Sequence, residues 1–182
     1  MASAQKTEPF RGYVQIYTGD GKGKTTAALG LALRAAGHEF HTFIGQFMKG
    51  QSYGELDVVA RLAPFITIEQ FGRKSFLHIK DHPPQAEINR ARRGLARSRA
   101  AMLSGRYRIV VLDEVLVAVF FKILSEADVH AFLDEKPDDV EVVLTGRRAP
   151  ASLVRLADLV TEMKERKHYY QKGVLARPGI ER

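Results

Sequence analysis

Residues 13–36 read Tyr-Val-Gln-Ile-Tyr-Thr-Gly-Asp-Gly-Lys-Gly-Lys-Thr-Thr-Ala-Ala-Leu-Gly-Leu-Ala-Leu-Arg-Ala-Ala. An apolar run, Tyr13–Thr18, enters a glycine-rich turn and leaves it as an Ala/Leu-rich segment that opens on Lys24-Thr25-Thr26. This order is strand, loop, helix. Gly19, Gly21 and Gly23 let successive backbone N–H groups turn toward one point and admit phosphate oxygens without Cβ clashes. The helix that follows aims its positive N-terminal end at the same point. Lys24 supplies a mobile ammonium, and the Thr25 hydroxyl is placed to ligate Mg²⁺. The stretch therefore predicts a phosphate-binding loop and a nucleoside triphosphate as ligand. It departs from the usual G-x-x-x-x-G-K-[ST] pattern in two ways. Thr18 stands where the first glycine falls, and the loop carries an extra lysine, Lys22.

Strand-like and helix-like segments alternate along the rest of the chain. Tyr13–Thr18, His41–Met48, Phe65–Phe71, Tyr107–Asp113, Asp139–Thr145 and Leu159–Met163 read as strands. Lys24–Ala36, Glu55–Ala63, Pro84–Ser104, Val115–Ile123, Ser125–Glu135 and Pro150–Ala157 read as helices, the fifth capped by Ser125. Apolar strands alternating with helices predict an α/β fold, a mostly parallel sheet of five to six strands covered on both faces. Helix 24–36 is apolar nearly all round and is predicted to be buried. Residues 13–164 form the nucleotide-binding domain in this reading, behind a short arm at 1–12. A basic tail, 165–182, is expected to pack on or near the site. Ligands of such sheets bind beyond the C-terminal strand ends, here after Thr18, Met48, Phe71, Asp113 and Thr145.

Composition narrows the chemistry. The 182 residues carry a net charge of +7 and no cysteine, which excludes disulfides, thiolate metal sites and cysteine nucleophiles. No apolar stretch approaches the roughly 18 residues of a membrane span, and Met1–Pro9 lacks the apolar core of a signal peptide. A cytoplasmic protein is expected. Residues 88–108 hold Arg90, Arg92, Arg93, Arg97, Arg99, Arg106 and Arg108 without an acidic residue. Such a run reads as a nucleic-acid surface or as a solvated helix face. The helix interleaves no aromatics for base stacking, which favours the solvated face.

Several residues can carry chemistry. Val110-Val111-Leu112-Asp113-Glu114 is an apolar strand ending in carboxylates, the arrangement that brings an acid to Mg²⁺ opposite a phosphate loop. Asp113 would act on the metal directly or through water, and Glu114 would be either a metal ligand or a general base. Thr145-Gly146-Arg147-Arg148 follows the next strand, and Arg147 there would face the triphosphate. Arg34 is either matched by a carboxylate or emerges at a surface. Lys49, in Gln46-Phe47-Met48-Lys49-Gly50, faces substrate or solvent. Phe71-Gly72-Arg73-Lys74-Ser75-Phe76 would cover a flat ligand or pack locally. His78 and His82 lack a third ligand, and Pro83-Pro84 interrupts any helix that would align them, so no zinc site is expected.

The ordered set of these motifs resembles the ATP:corrinoid adenosyltransferases of the cobalamin-pathway type. The likeness runs through Thr18–Ala28, Arg34-Ala35-Ala36-Gly37-His38, Gln46–Gly50, Leu112-Asp113-Glu114, Leu144–Arg147, Leu156–Met163, Lys167-His168 and Gly173–Ala176, covering roughly 13–180. It implies a P-loop NTPase fold of the RecA-like, three-layer kind. It also implies transfer of the 5′-deoxyadenosyl group of ATP to Co(I) of a reduced corrinoid, with release of triphosphate. Co(I) is itself the nucleophile, so no side chain is assigned as nucleophile or base. Gly19, Asp20, Gly21, Lys22, Gly23, Lys24, Thr25, Thr26, Arg34 and Arg147 would bind ATP, with Lys24 and Arg147 stabilising the triphosphate. Thr25 and Glu114 would hold Mg²⁺ (or Mn²⁺), with Asp113 acting indirectly. Phe71, Gly72, Arg73, Phe76 and Lys49 would meet the corrinoid. A flavoprotein or other reductant supplies Co(I), and a homodimer is expected.

Two departures stand out. Better-known members carry Phe-Thr-Trp after the third strand, thought to exclude the lower axial ligand; here the segment reads Lys74-Ser75-Phe76. Those members also carry a longer N-terminal helix over the site. Two other readings of the loop remain at this level: an ATPase acting on nucleic acid or a protein partner, and a small-molecule kinase. Products distinguish them, since the three activities release triphosphate, phosphate and ADP respectively.

Overall fold

Strands rich in Val, Ile and Phe, each followed by a helical crossover, pair in parallel because the crossover returns the chain to the same end of the sheet. The computed structural model describes residues 10–51, 53–73 and 82–181. Its strands are β1 Val14–Thr18, β2 Thr42–Phe47, β3 Ile66–Phe71, β4 Ile109–Asp113, β5 Glu141–Thr145 and β6 Leu159–Glu162. They form one parallel sheet in the order β3-β2-β4-β5-β1-β6. The helices are α1 Lys24–Ala36, α2 Gly54–Val59, α3 Gln85–Leu103, α4 Val115–Phe120, α5 Glu126–Asp134 and α6 Ala151–Leu156. The expected α/β architecture is present, and β5 separates the phosphate-loop strand β1 from the acid-bearing strand β4.

The period of two along each strand sorts the core into two layers. Phe43, Phe47, Val110, Leu112, Val142 and Leu144 pack in one cluster with α4 and α5. Ile44, Ile66, Ile109, Val111 and Val143 pack in the other, against Ala28, Ala32 and Ala35 of α1. The same alternation sorts the strand ends. Gln46, Asp113 and Thr145 fall on the α1 side, whereas Phe47 and its register partner Phe71 fall on the α3 side.

Three expectations change. Helix α1 is not buried all round: among its apolar residues only Ala28, Ala32 and Ala35 are buried, and Leu33 is 58% exposed. Small side chains let the helix lie close to the sheet, and α2, the other helix on that layer, is only six residues long and cannot cover its outer face. The sheet is not covered throughout, because β6 pairs only with β1 and all its residues are exposed. The predicted helix 55–63 divides into α2 and a 3-10 turn at Ala60–Leu62. The tail also holds a 3-10 turn, Tyr169–Lys172. Ser125 caps α5 as expected, exchanging hydrogen bonds with Asp128.

The arginine-rich run lies on and beyond α3, where Arg90, Arg97, Arg99 and Arg108 meet carboxylates of α3 itself or of neighbouring elements. Arg90 pairs with Glu87 at 2.5 Å, Arg97 with Glu69 at 2.7 Å, Arg99 with Glu135 and Arg108 with Asp139. Arginines so matched present little unbalanced charge to a polyanion. No helix among the described residues is long and apolar enough to cross a membrane.

Candidate active site

The phosphate loop is shaped from below by the chain that follows β6. Met163 N donates to Thr18 O at 2.8 Å, and Gly21 N donates to Met163 O at 2.7 Å. A Cβ on Gly19 or Gly21 would lie 2.4 or 2.7 Å from that same oxygen. The density of glycine therefore answers first to Met163, and the Gly21 N–H is spent there instead of on the ligand. Gly23, at φ +120°, makes the turn into α1. Lys24 is buried and its ammonium donates to Gly19 O at 2.8 Å and Gly21 O at 2.6 Å. Burial lowers its pKa, partly offset by Glu114.

Asp113 organises the other side. The carboxylate is fully buried, and each oxygen is matched. Oδ1 accepts from Thr25 Oγ1 at 2.9 Å and Thr145 Oγ1 at 2.7 Å. Oδ2 accepts from Lys49 Nζ at 2.8 Å and Gln46 Nε2 at 3.3 Å. Lys49 Nζ also donates to Thr25 Oγ1 at 3.1 Å. Gln70 Nε2 donates to Gln46 Oε1 at 3.0 Å. Gln70, Gln46, Asp113 and Thr145 sit near the ends of four adjacent strands, β3, β2, β4 and β5, so the sheet itself assembles a polar row, Gln70–Gln46–Asp113–Thr145, across its C-terminal edge. A buried carboxylate is tolerable only with such partners. Burial pulls the Lys49 pKa down, but the charge and hydrogen bond of Asp113 more than offset it, and the net shift is upward.

Glu114 holds the left-handed conformation, φ 61°, with its N–H donating to Thr145 Oγ1 at 2.9 Å. A non-glycine residue in that region costs free energy and persists where the surroundings hold it. The turn makes Glu114 a wall of the cavity while Asp113 stays beneath. Desolvation, then the neighbouring Asp113, raises its pKa. Arg147 is exposed beside Asp20, 4.0 Å from Oδ1, and lines the same cavity. No group of three His, Cys, Asp or Glu side chains suited to a metal occurs among the described residues. Two carboxylates and a hydroxyl fit a hard cation that takes most of its ligands from phosphate and water, as Mg²⁺ does.

On the solvent side the tail returns to the loop. Lys22 Nζ donates to Glu181 Oε1 at 2.8 Å, Ile180 O at 2.9 Å and Tyr169 Oη at 3.3 Å. Tyr169 hydrogen-bonds Glu181, and Arg177 stacks on the Tyr169 ring at 4.7 Å. The resulting cavity, about 970 Å³, has a polar floor of loop residues 20–26 and an apolar wall that includes Leu29, Leu33, Val58 and Leu62. His168, Gly179, Ile180 and Glu181 close one side.

The structure thus brings together Asp20 to Thr26, Glu114, Arg147 and Lys49, with Asp113 beneath them. It separates the others. Arg34 is exposed, nine residues past Thr25 or about 14 Å along α1, because the helix runs away from the loop. Phe71 points to the opposite face, against Phe47 at 5.9 Å, and packs so close to α3 that a Cβ on Gly94 would meet its ring at 2.6 Å. Lys49 stays in the cavity but turns to Asp113 instead of standing free at the rim. Gly72 packs on the backbone of residues 48–49, and Arg73 pairs with Glu87 at 3.3 Å. Lys74, Ser75, Phe76 and His78 lie outside the described residues. Sequence reasoning assigned no role to Gln46, Gln70, Thr145, Tyr53 or Glu181. A glutamine between Gly45 and Phe47 in the fully buried strand Thr42–Phe47 was the available signal for the polar row.

Comparison with known proteins gives a consistent answer. Residues 10–182 match the family model described as ATP:corrinoid adenosyltransferase BtuR/CobO/CobP. A corrinoid adenosyltransferase of Sinorhizobium is 33% identical over 185 residues, covering 98% of this chain and 83% of that protein. That of Escherichia coli K12 is 33% identical over 189 residues, covering 99% and 90%. That of Salmonella typhimurium is 31% identical over 181 residues, with the same coverage of 99% and 90%.

Proposed function

Because the chain belongs to the ATP:corrinoid adenosyltransferase family, we propose that it transfers the 5′-deoxyadenosyl group of ATP to Co(I) of a reduced corrinoid. The electron pair of Co(I) forms the Co–C bond to the 5′-carbon, and the C–O bond breaks with its pair on the departing triphosphate. No proton moves in this step, so no general base is required, and Glu114 serves as an anionic ligand. The match over residues 10–182 carries the reading. The cavity supports it, because a cationic phosphate floor and an apolar wall share one space.

In this reading the protein supplies position and charge. Lys24, Arg147 and the N-terminal N–H groups of α1 stabilise the charge that grows on the triphosphate. Gly19, Asp20, Gly23 and Thr26 shape its seat. Thr25 and Glu114 would hold Mg²⁺, with Asp113 acting through Thr25. When bound, the ion neutralises triphosphate charge and eases its departure. Leu33, Val58, Leu62 and Tyr53, which wall the cavity, border the corrinoid. The protein works in the cytoplasm as a homodimer, on corrinoid reduced by a flavoprotein or another donor. Residues 13–164 form the nucleotide-binding body and 165–182 its strap.

Incubation with MgATP and chemically reduced cobalamin tests the proposal. A Co–C bond by absorbance and an equimolar amount of triphosphate are expected. ADP or phosphate as the sole product, with no Co–C bond, would overturn it.

A further inference from the structure

The chemistry above leaves the ammonium of Lys49 without a task. It is not a peripheral group: 15% of its side chain is exposed, and it touches both oxygen groups on the metal side of the loop, Asp113 Oδ2 at 2.8 Å and Thr25 Oγ1 at 3.1 Å. Those two groups also touch each other, through Thr25 Oγ1 and Asp113 Oδ1 at 2.9 Å. The ammonium thus closes a three-membered cluster on the hydroxyl that a divalent ion would engage and on the carboxylate that orients that hydroxyl. Without Lys49 the adjacent Asp113 and Glu114, backed by two threonine hydroxyls, would form an anionic oxygen set of the kind that attracts hard cations. With Lys49 the Asp113 half of that set is already matched.

We propose that Lys49 is a built-in competitor for the divalent ion, so that the metal is admitted with the triphosphate and not before it. The ammonium and a metal ion cannot share Thr25 Oγ1, and both draw on the charge of Asp113 behind it. A free metal ion must therefore displace a largely buried, hydrogen-bonded cation and leave that cation unmatched. A metal ion that arrives with ATP brings phosphate oxygens to which the ammonium can turn. Lysine suits this exchange, being a point charge on a flexible stem without a fixed fork of donors. The Tyr53 ring, 5.4 Å from Nζ and part of the cavity wall, gives the displaced ammonium a second favourable face. Lys49 is in this sense a positioning residue for metal and nucleotide together. Glu114, Lys24 and Arg147 share the cavity but make no hydrogen bond to the Thr25–Asp113 pair among those described.

The inference rests on the adenosyltransferase reading only in naming ATP as the nucleotide. Its test needs neither corrinoid nor turnover, so failure of one leaves the other standing. Mn²⁺ alone is titrated into the whole chain, and free Mn²⁺ is followed by electron paramagnetic resonance. Lys49→Met should bind Mn²⁺ on the order of tenfold more tightly than the parent protein, the size of a typical coupling between competing ligands. The double variant Lys49→Met, Asp113→Asn should lose that gain. Lys49→Gln, neutral but still a hydrogen-bond donor, gives the same comparison if methionine disturbs folding, which circular dichroism reports. Unchanged or weaker Mn²⁺ binding in the folded single variants, or a gain that survives in the double variant, would overturn the proposal.

Discussion

Two lysine–carboxylate pairs flank the phosphate loop at the same distance, 2.8 Å, in opposite surroundings. Lys49 and Asp113 are 15% and 1% exposed, whereas Lys22 and Glu181 are 41% and 17% exposed. Water and salt screen the outer pair, which therefore does little for the stability of the fold. Its effect is positional, because it ties the tail to the loop. The inner pair lies where separating the charges leaves one of them buried and unmatched. Equal geometry thus gives a reversible fastening outside and a structural commitment inside.

Removal of Asp113 should have the largest effect. Asp113→Ala strands the Lys49 ammonium and two hydroxyls, and should lower unfolding free energy by about 3–5 kcal/mol in urea titrations while abolishing triphosphate release. A loss below about 1 kcal/mol would show that the inner pair is no more structural than the outer one. Gln46→Leu comes next. It removes the donor to Asp113 and the acceptor for Gln70, and should cost about 1–3 kcal/mol for the polar groups left unmatched. An unchanged urea midpoint would mean that the polar row is not a unit.

Glu181→Gln should do least to stability and most to the tail. The melting temperature should stay the same, while amide exchange in residues 169–181 should speed up. Retained protection there would sever the tail from Lys22. The pH dependence follows from the charge. Arg177, Lys22 and Tyr169 hold the Glu181 carboxyl far below its ordinary value of 4.5. A carboxyl depressed on docking contributes above its undocked pKa and loses that contribution as pH falls toward the docked one. Tail protection should therefore survive mild acid and disappear only in stronger acid.

Much of this site was legible in the residues. Lys24, Thr25, Asp113, Glu114 and Arg147 stand at the ends of strands or the start of a helix, and strand ends of a parallel sheet gather at one edge. The resemblance set Phe71 against the corrinoid, whereas the residues alone left local packing open. The period of two from Gln70 already assigns it to the other face, and Gly94 leaves the room it fills. Arg34 was misread because adjacency in a motif does not survive thirteen residues of helix, which carries its end away from the loop.

The phosphate loop, the alternation of strands and helices and the family are written in local order: glycine spacing, apolar runs and the residues that close them depend only on near neighbours. Which partner each charge takes is not local. Lys22 meets Glu181 across 159 positions, and Lys49 meets Asp113 across 64. Only folding brings those groups together, and only folding sets how much water remains between them. The chain alone therefore specifies a phosphate-loop motif; the folded arrangement makes Lys22 a fastening for the tail and Lys49 the partner of buried Asp113.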